Sequence, residues 1–231
     1  MIFKKNHGPP ADRAVRAHLN KLTQQNYNII VIKIRAALTP ECVELVLEKV
    51  LQKAYSETSH RFLYIRLIKD LCGEMKGDER DAAWALVATA VRKTHDGLAE
   101  SLVFPATSPT HDYNLFCEVG RRKREVLGRC ETHVGLSQCD GMGGAHGAGL
   151  DDIYDVYVSS LCTAAQSASE ADCDVDAEAK LETLLDCVAA VLTARRELRT
   201  AFRAVARSHR LSGCGAGKRS RFKLRDMIGQ L

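Results

Sequence analysis

Two stretches carry the residue types that phosphate and metal chemistry needs. Residues 213–220, GCGAGKRS, approach the loop in which backbone N–H groups cradle a nucleotide's phosphates and a lysine reaches the outer ones. That pattern, GxxxxGK[ST], follows a strand and requires glycine at 212 and serine or threonine at 219. Those positions hold Ser212 and Arg219, and no strand precedes them, so a flexible connection between helices is the better reading. Cys130, His133, Cys139 and His146 are of the types that bind zinc. Their spacing, C-x2-H-x5-C-x6-H, matches no standard tetrahedral site, and the glycine-rich run from Gly135 to Gly149 is costly to order around an ion. No nucleophile elbow, HExxH helix or paired-acid signature occurs. A binding module is expected, with no catalytic residues, cofactor or metal; a nucleotide- or zinc-dependent enzyme is the alternative resting on these two stretches.

The chain of 231 residues is long enough for a sizeable core, and its 45% hydrophobic and 27% charged residues fit a soluble globular protein. Apolar runs fall far short of the ~20 residues that span a bilayer, so no membrane partner is expected. The opening MIFKKNHGPP has no signal-peptide core. Nine cysteines, an odd number lying singly in apolar stripes, fit reduced buried thiols and a cytoplasmic location. The charge is unevenly placed. From Asp151 to Asp186 ten acids face one base, and from Arg195 to Leu231 eleven bases face two acids. The basic end can attract an anionic partner, or the two blocks can neutralise each other.

The elements that must position these residues read as all-α. Five prolines and sixteen glycines cluster between segments rich in Ala, Leu, Glu and Arg, and punctuation divides the chain into about ten helices. Thr39 is a good N-cap and Pro40 a good first helical residue for the third, where Val43, Val46, Leu47, Val50 and Leu51 recur at helical spacing. Residues 27–38 hold a β-branched run that propensity favours as a strand. Yet Tyr27, Ile30, Val31, Ile34 and Leu38 form a helical stripe, and no other strand is available to pair with. Ile29 and Ile32 make an adjacent apolar stripe that stacking between helices is expected to cover. The expected fold is an α-solenoid of about five HEAT-like antiparallel helix pairs, residues 11–231, after a flexible segment 1–10; a single compact bundle is the competing architecture.

Leu19-Asn20-Lys21-Leu22-Thr23 followed by Tyr27 and the apolar helix resembles the LNKLTP-plus-aromatic start of the middle domain of eukaryotic translation initiation factor 4 gamma. VLEKVLQKAYSE and RFLYIRLIKDL are similar to the next segments of that family, and RSRFKLRDMI, Arg219 to Ile228, resembles its closing helix. Between them DYNLFCEVGRRKREVLGRC stands where the family has GNIxFIGELF, and Gln24 replaces the proline after LNKLT. The resemblance implies five HEAT-like pairs without catalysis, binding and stimulation of the DEAD-box RNA helicase of the initiation factor 4 complex, and some affinity for RNA. A cap-binding protein is implied through regions outside this chain. Other adaptors with this domain, a poly(A)-binding-protein-interacting protein or a nonsense-mediated-decay factor, are the alternatives.

Carried over by position, the helicase contacts implied are Leu19, Lys21, Leu22 and Tyr27, with the two leucines and the tyrosine equally readable as core. If they face outward, Leu22→Asp or Tyr27→Ala weakens helicase binding and leaves stability intact. Arg199, Arg203, Arg207 and Arg210 share roughly one helical stripe with Arg196 nearby, and can meet RNA phosphates or the helicase's second lobe. Phe222 reads as core, leaving few aromatics to stack on bases, so this RNA contact is expected to be phosphate-dominated and steeply salt-dependent.

Overall fold

A computed structural model describes residues 10–104, 112–139, 150–170, 175–209, 211 and 218–229. Among them every element is helical. The expectation of an all-α, solenoid-like stack of helices is met; the expected segment 1–10 lies outside the described residues but for Pro10, which opens the first helix.

The N-terminal part comprises α1 (Pro10–Leu19), α2 (Tyr27–Ala36), α3 (Val43–Ser56), α4 (Arg61–Glu74), α5 (Asp78–Asp96) and the one-turn α6 (Leu98–Ser101). The β-branched run is α2, with Tyr27, Ile30, Val31 and Ile34 buried. Weak intrinsic propensity is overridden there by packing on α1 and α4. Ile29 and Ile32, expected under a neighbouring repeat, are instead 57% and 64% exposed. Among the described residues, the stripe facing α1 and α4 is the one that is covered. Thr39 takes an extended conformation before a 3-10 turn at Pro40–Cys42 that leads into α3, its N–H donating to Cys42 Sγ at 3.0 Å. Gly77 has φ +53, a left-handed conformation glycine adopts without strain, and it turns the chain into α5. That helix begins with Asp78, Glu79 and Asp81 and has Lys93 in its last turn, matching its dipole.

The remainder comprises α7 (Tyr113–Ser137), α8 (Leu150–Glu170), α9 (Val175–Ala194), α10 (Leu198–Ser208) and α11 (Lys218–Gly229). Two apolar cores result. The first is built from α1 to α5, the second mainly from α8 to α11. The 25-residue α7 joins them, giving Val126 and Cys130 to the second core and Leu136 to the first. At Gly128, α7 lies so close to α3 that an added Cβ would stand 2.0 Å from the Tyr55 carbonyl oxygen.

A ring stack crosses the seam. Tyr55 of α3 meets His133 of α7 at 5.6 Å between centroids, His133 meets His95 of α5 at 4.3 Å, and His95 meets Tyr157 of α8 at 5.7 Å. The Tyr55 hydroxyl bonds His133 Nε2 at 3.2 Å. Both nitrogens of His95 and Nδ1 of His133 are buried without a hydrogen-bond partner. Burial therefore pushes the His95 imidazole down to about 4. His133 lies well below its ordinary value through burial first, then through His95 and Arg129. Both rings are thus neutral at pH 7.

Candidate nucleic-acid interface

The proposed helicase edge lies differently from its expected position. Leu19, Leu22 and Tyr27 are 1%, 4% and 3% exposed and belong to the first core. Their spacing closes the open end of that core, so none of the three offers a surface to a partner. The Tyr27 hydroxyl donates to Asp70 Oδ2 at 2.8 Å, and the Arg66 guanidinium lies 4.3 Å above its ring. Burial, reinforced by Asp70, raises its phenol above the ordinary value. Lys21 alone among the four is exposed; its carbonyl accepts from Asn26 Nδ2 at 2.6 Å, which holds the turn between α1 and α2.

The arginine stripe is real in part. Arg196 lies in the turn before α10, while Arg199, Arg203 and Arg207 follow one another along that helix; Arg210 lies outside the described residues. Phe202 and Ala206 are buried on the adjoining face. Arg196 and Arg207 are exposed, whereas Arg199 and Arg203 are partly covered. Arg199 Nε donates to the Leu192 carbonyl at 3.3 Å. Elsewhere the acidic and basic blocks neutralise each other: Arg219 of α11 meets Glu182 of α9 at 2.9 Å, and Lys223 pairs with Asp186. Phe222, expected in the core, is 66% exposed, because Leu224 is the α11 residue turned to the second core.

Neither stretch that suggested chemistry forms a site among the described residues. Ser220 is buried and donates to Glu178 Oε1 at 2.6 Å, while residues 212–217 lie outside the description. Cys130, whose Sγ contacts the Cys187 carbonyl at 3.5 Å, and His133 are core side chains at the seam; His146 lies outside the description. No cluster of three or more His, Cys, Asp or Glu able to hold a metal occurs among the described residues.

What the packing does assemble is a basic groove. A cleft of about 880 Å³ opens between α3, the α5–α6 corner and α7, with Lys93, Arg121, Arg124 and Arg129 against Glu100 and Glu125 in its walls. A second cleft of about 290 Å³, between α1 and α3, carries Arg16, Lys49 and Lys53 and no acid. Gln52 and Ser56 line both, so the two run into one another across α3. Seven bases thus face two acids. Glu125 is engaged by Arg129 at 2.5 Å and Arg121 at 3.5 Å, and Arg129 also donates to Ser101 Oγ at 2.7 Å. Lys53 pairs with Glu57 at 2.6 Å. Lys93 and Arg124, both exposed, form no ion pair among the described residues and line the cleft. Among the described residues Lys49 bonds Gln52, at 3.3 Å, and forms no ion pair. Such an uncompensated field favours a polyanion.

Sequence reasoning missed this groove because its bases come from four helices. Only the run RRKR at 121–124 was legible as a local signal, and half of it points elsewhere: Arg122 donates to the Val103 carbonyl and Lys123 pairs with Glu182. Among the described residues no helix is long and apolar enough to cross a membrane. Comparison with protein-family models, with curated proteins and with solved structures finds no match to this chain.

Proposed function

We propose that this chain is a scaffold domain of the initiation factor 4 gamma middle-domain type, which binds the DEAD-box RNA helicase in the cytoplasm and holds RNA along its basic groove. The observation that carries the reading is the pair of adjoining clefts in which seven bases face two acids. A groove of that sign is complementary to a phosphate backbone. The helicase half of the reading is supported by the resemblance at LNKLT and at RSRFKLRDMI, and by the all-α stack of helices. With Leu19, Leu22 and Tyr27 buried, its contacts at this end are Lys21 and the exposed Ile29 and Ile32 of α2. The scaffold has no catalysis of its own. It favours one arrangement of the helicase's two lobes by binding that arrangement more tightly.

The test is capture of the helicase by the purified chain, followed by the helicase's RNA-dependent ATPase rate. Retention together with a faster rate is expected. Ile32→Ser, at an exposed site, is expected to weaken capture without lowering the melting temperature. A helicase that neither binds nor accelerates removes the helicase half of the reading, and RNA that fails to bind at low salt removes the other.

A further inference from the structure

The first half of α7 carries a feature that phosphate contacts alone leave unused. Asp112 caps the helix, its Oδ1 accepting from the N–H groups of Asn114 and Leu115 at 2.9 and 3.2 Å, so the following residues are placed on regular turns. Tyr113 and Phe116 are then 78% and 60% exposed. Two large rings exposed one turn apart on one ordered helix form a patch of the kind that marks a contact surface. Tyr113 and Arg124 are eleven positions apart, three helical turns, and so lie on one stripe about 16 Å long. Between them the stripe carries two small residues, the exposed Cys117 and the half-buried Gly120, toward which the Arg124 guanidinium lies. Phe116 flanks the stripe, and Arg124 ends it at the rim of the larger cleft.

We propose that this stripe makes the groove selective for single-stranded nucleic acid. Tyr113 and Phe116 stack on unpaired bases while the adjoining phosphates lie on Arg124, Arg121 and Lys93. The inference rests on the reading of the groove as a nucleic-acid interface. Charge complementarity selects the occupant: a strand that brings π-faces and one negative charge per nucleotide matches two exposed rings leading into a cleft with four bases against two acids. In a duplex the base faces are already stacked on one another, and a helix exterior cannot reach them.

Fluorescence anisotropy of the full chain with labelled U12, dT12 and a twelve-base-pair duplex at one fixed salt concentration tests this. The unaltered chain is expected to bind U12 and dT12 about tenfold tighter than the duplex. The double variant Tyr113→Ala, Phe116→Ala is expected to lose that advantage on both single strands, bind the duplex as before and melt at an unchanged temperature. Tyr113→Trp is expected to keep the affinity, since stacking needs a ring and not a hydroxyl. Lys93→Glu with Arg124→Glu weakens strands and duplex alike. If the ring-deleted protein holds U12 and dT12 as tightly as before while the charge variant does not, stacking is overturned and the groove reading stands. If the rings matter only for helicase capture, the face is a protein contact and the proposal fails. If the unaltered chain binds none of the three nucleic acids, the groove reading falls, and this inference with it.

Discussion

His95 and His133 sit ring to ring with three of their four nitrogens unpartnered, and this fixes how stability depends on acid. An unfolded chain protonates its histidines near 6.5, whereas His95 folded waits until about 4 and burial holds His133 well below its ordinary value too. Between those values the unfolded state binds more protons, so stability is complete above about pH 6.5 and is lost as pH falls toward 4, by at most about 1.4 kcal/mol per pH unit for each ring. Melting temperature followed from pH 7.5 to 4.5, above the range where carboxylates dominate, is expected to fall, and His133→Phe to flatten the slope. An unchanged slope in that variant would show that the ring is hydrated. Single residues also separate core from surface at the N-terminal edge. Leu22→Asp and Tyr27→Ala are expected to cost about 2–5 kcal/mol, read as a lower denaturant midpoint. The opposite expectation, of intact stability, was reasonable from LNKLT alone. Spacing of i, i+3 puts two leucines on one face without saying whether that face meets this chain or another.

At the scale of elements, the apolar stripes were legible and their partners were not. Val46, Leu47, Val50 and Leu51 are buried in α3, as are Leu63, Leu67 and Leu71 in α4, because a helix with one apolar stripe must turn that stripe inward. A helix with two, such as α2, can cover only as many as it has neighbours, and Ile29 and Ile32 remain outside. The length of α7, and its approach to α3, left almost no local trace; Gly128 is the one residue that marks it. Gly128→Ala places a methyl group against the Tyr55 carbonyl. Since backbone cannot move aside as a side chain can, the two helices must separate, at about 1–3 kcal/mol, seen as a lower melting temperature. Arg61 sits under the same contact. It is 8% exposed, gives Nε to the Ala54 carbonyl at 3.1 Å and pairs with Glu131 of α7. Arg61→Met is expected to be milder than Arg61→Ala, since the methionine fills the space the guanidinium leaves.

Across the whole molecule, the groove exists only after folding: Arg16, Lys53, Lys93 and Arg124 are far apart in the chain and meet across α1, α3, α5 and α7. With Lys49, Lys93 and Arg124 free of ion pairs among the described residues, a single strand lying in it is expected to give a log–log salt slope near −2, from about −0.7 per phosphate contact. A flat dependence from 50 to 200 mM salt would count against the groove; a slope unchanged by Lys93→Glu would do the same. The α10 arginines are a separate contribution, removable by Arg196→Glu with Arg207→Glu. The sharing of α7 between two cores has a further consequence for how this chain can be cut. A break between Phe104 and Asp112 leaves an N-terminal piece whose core lacks Leu136, and a C-terminal piece whose central helix shows Gly128 and His133 to water. Neither piece closes its own surface, yet each carries the other's missing face. Two such fragments, each poorly folded alone, should find one another when mixed and recover the helical signal of the intact chain.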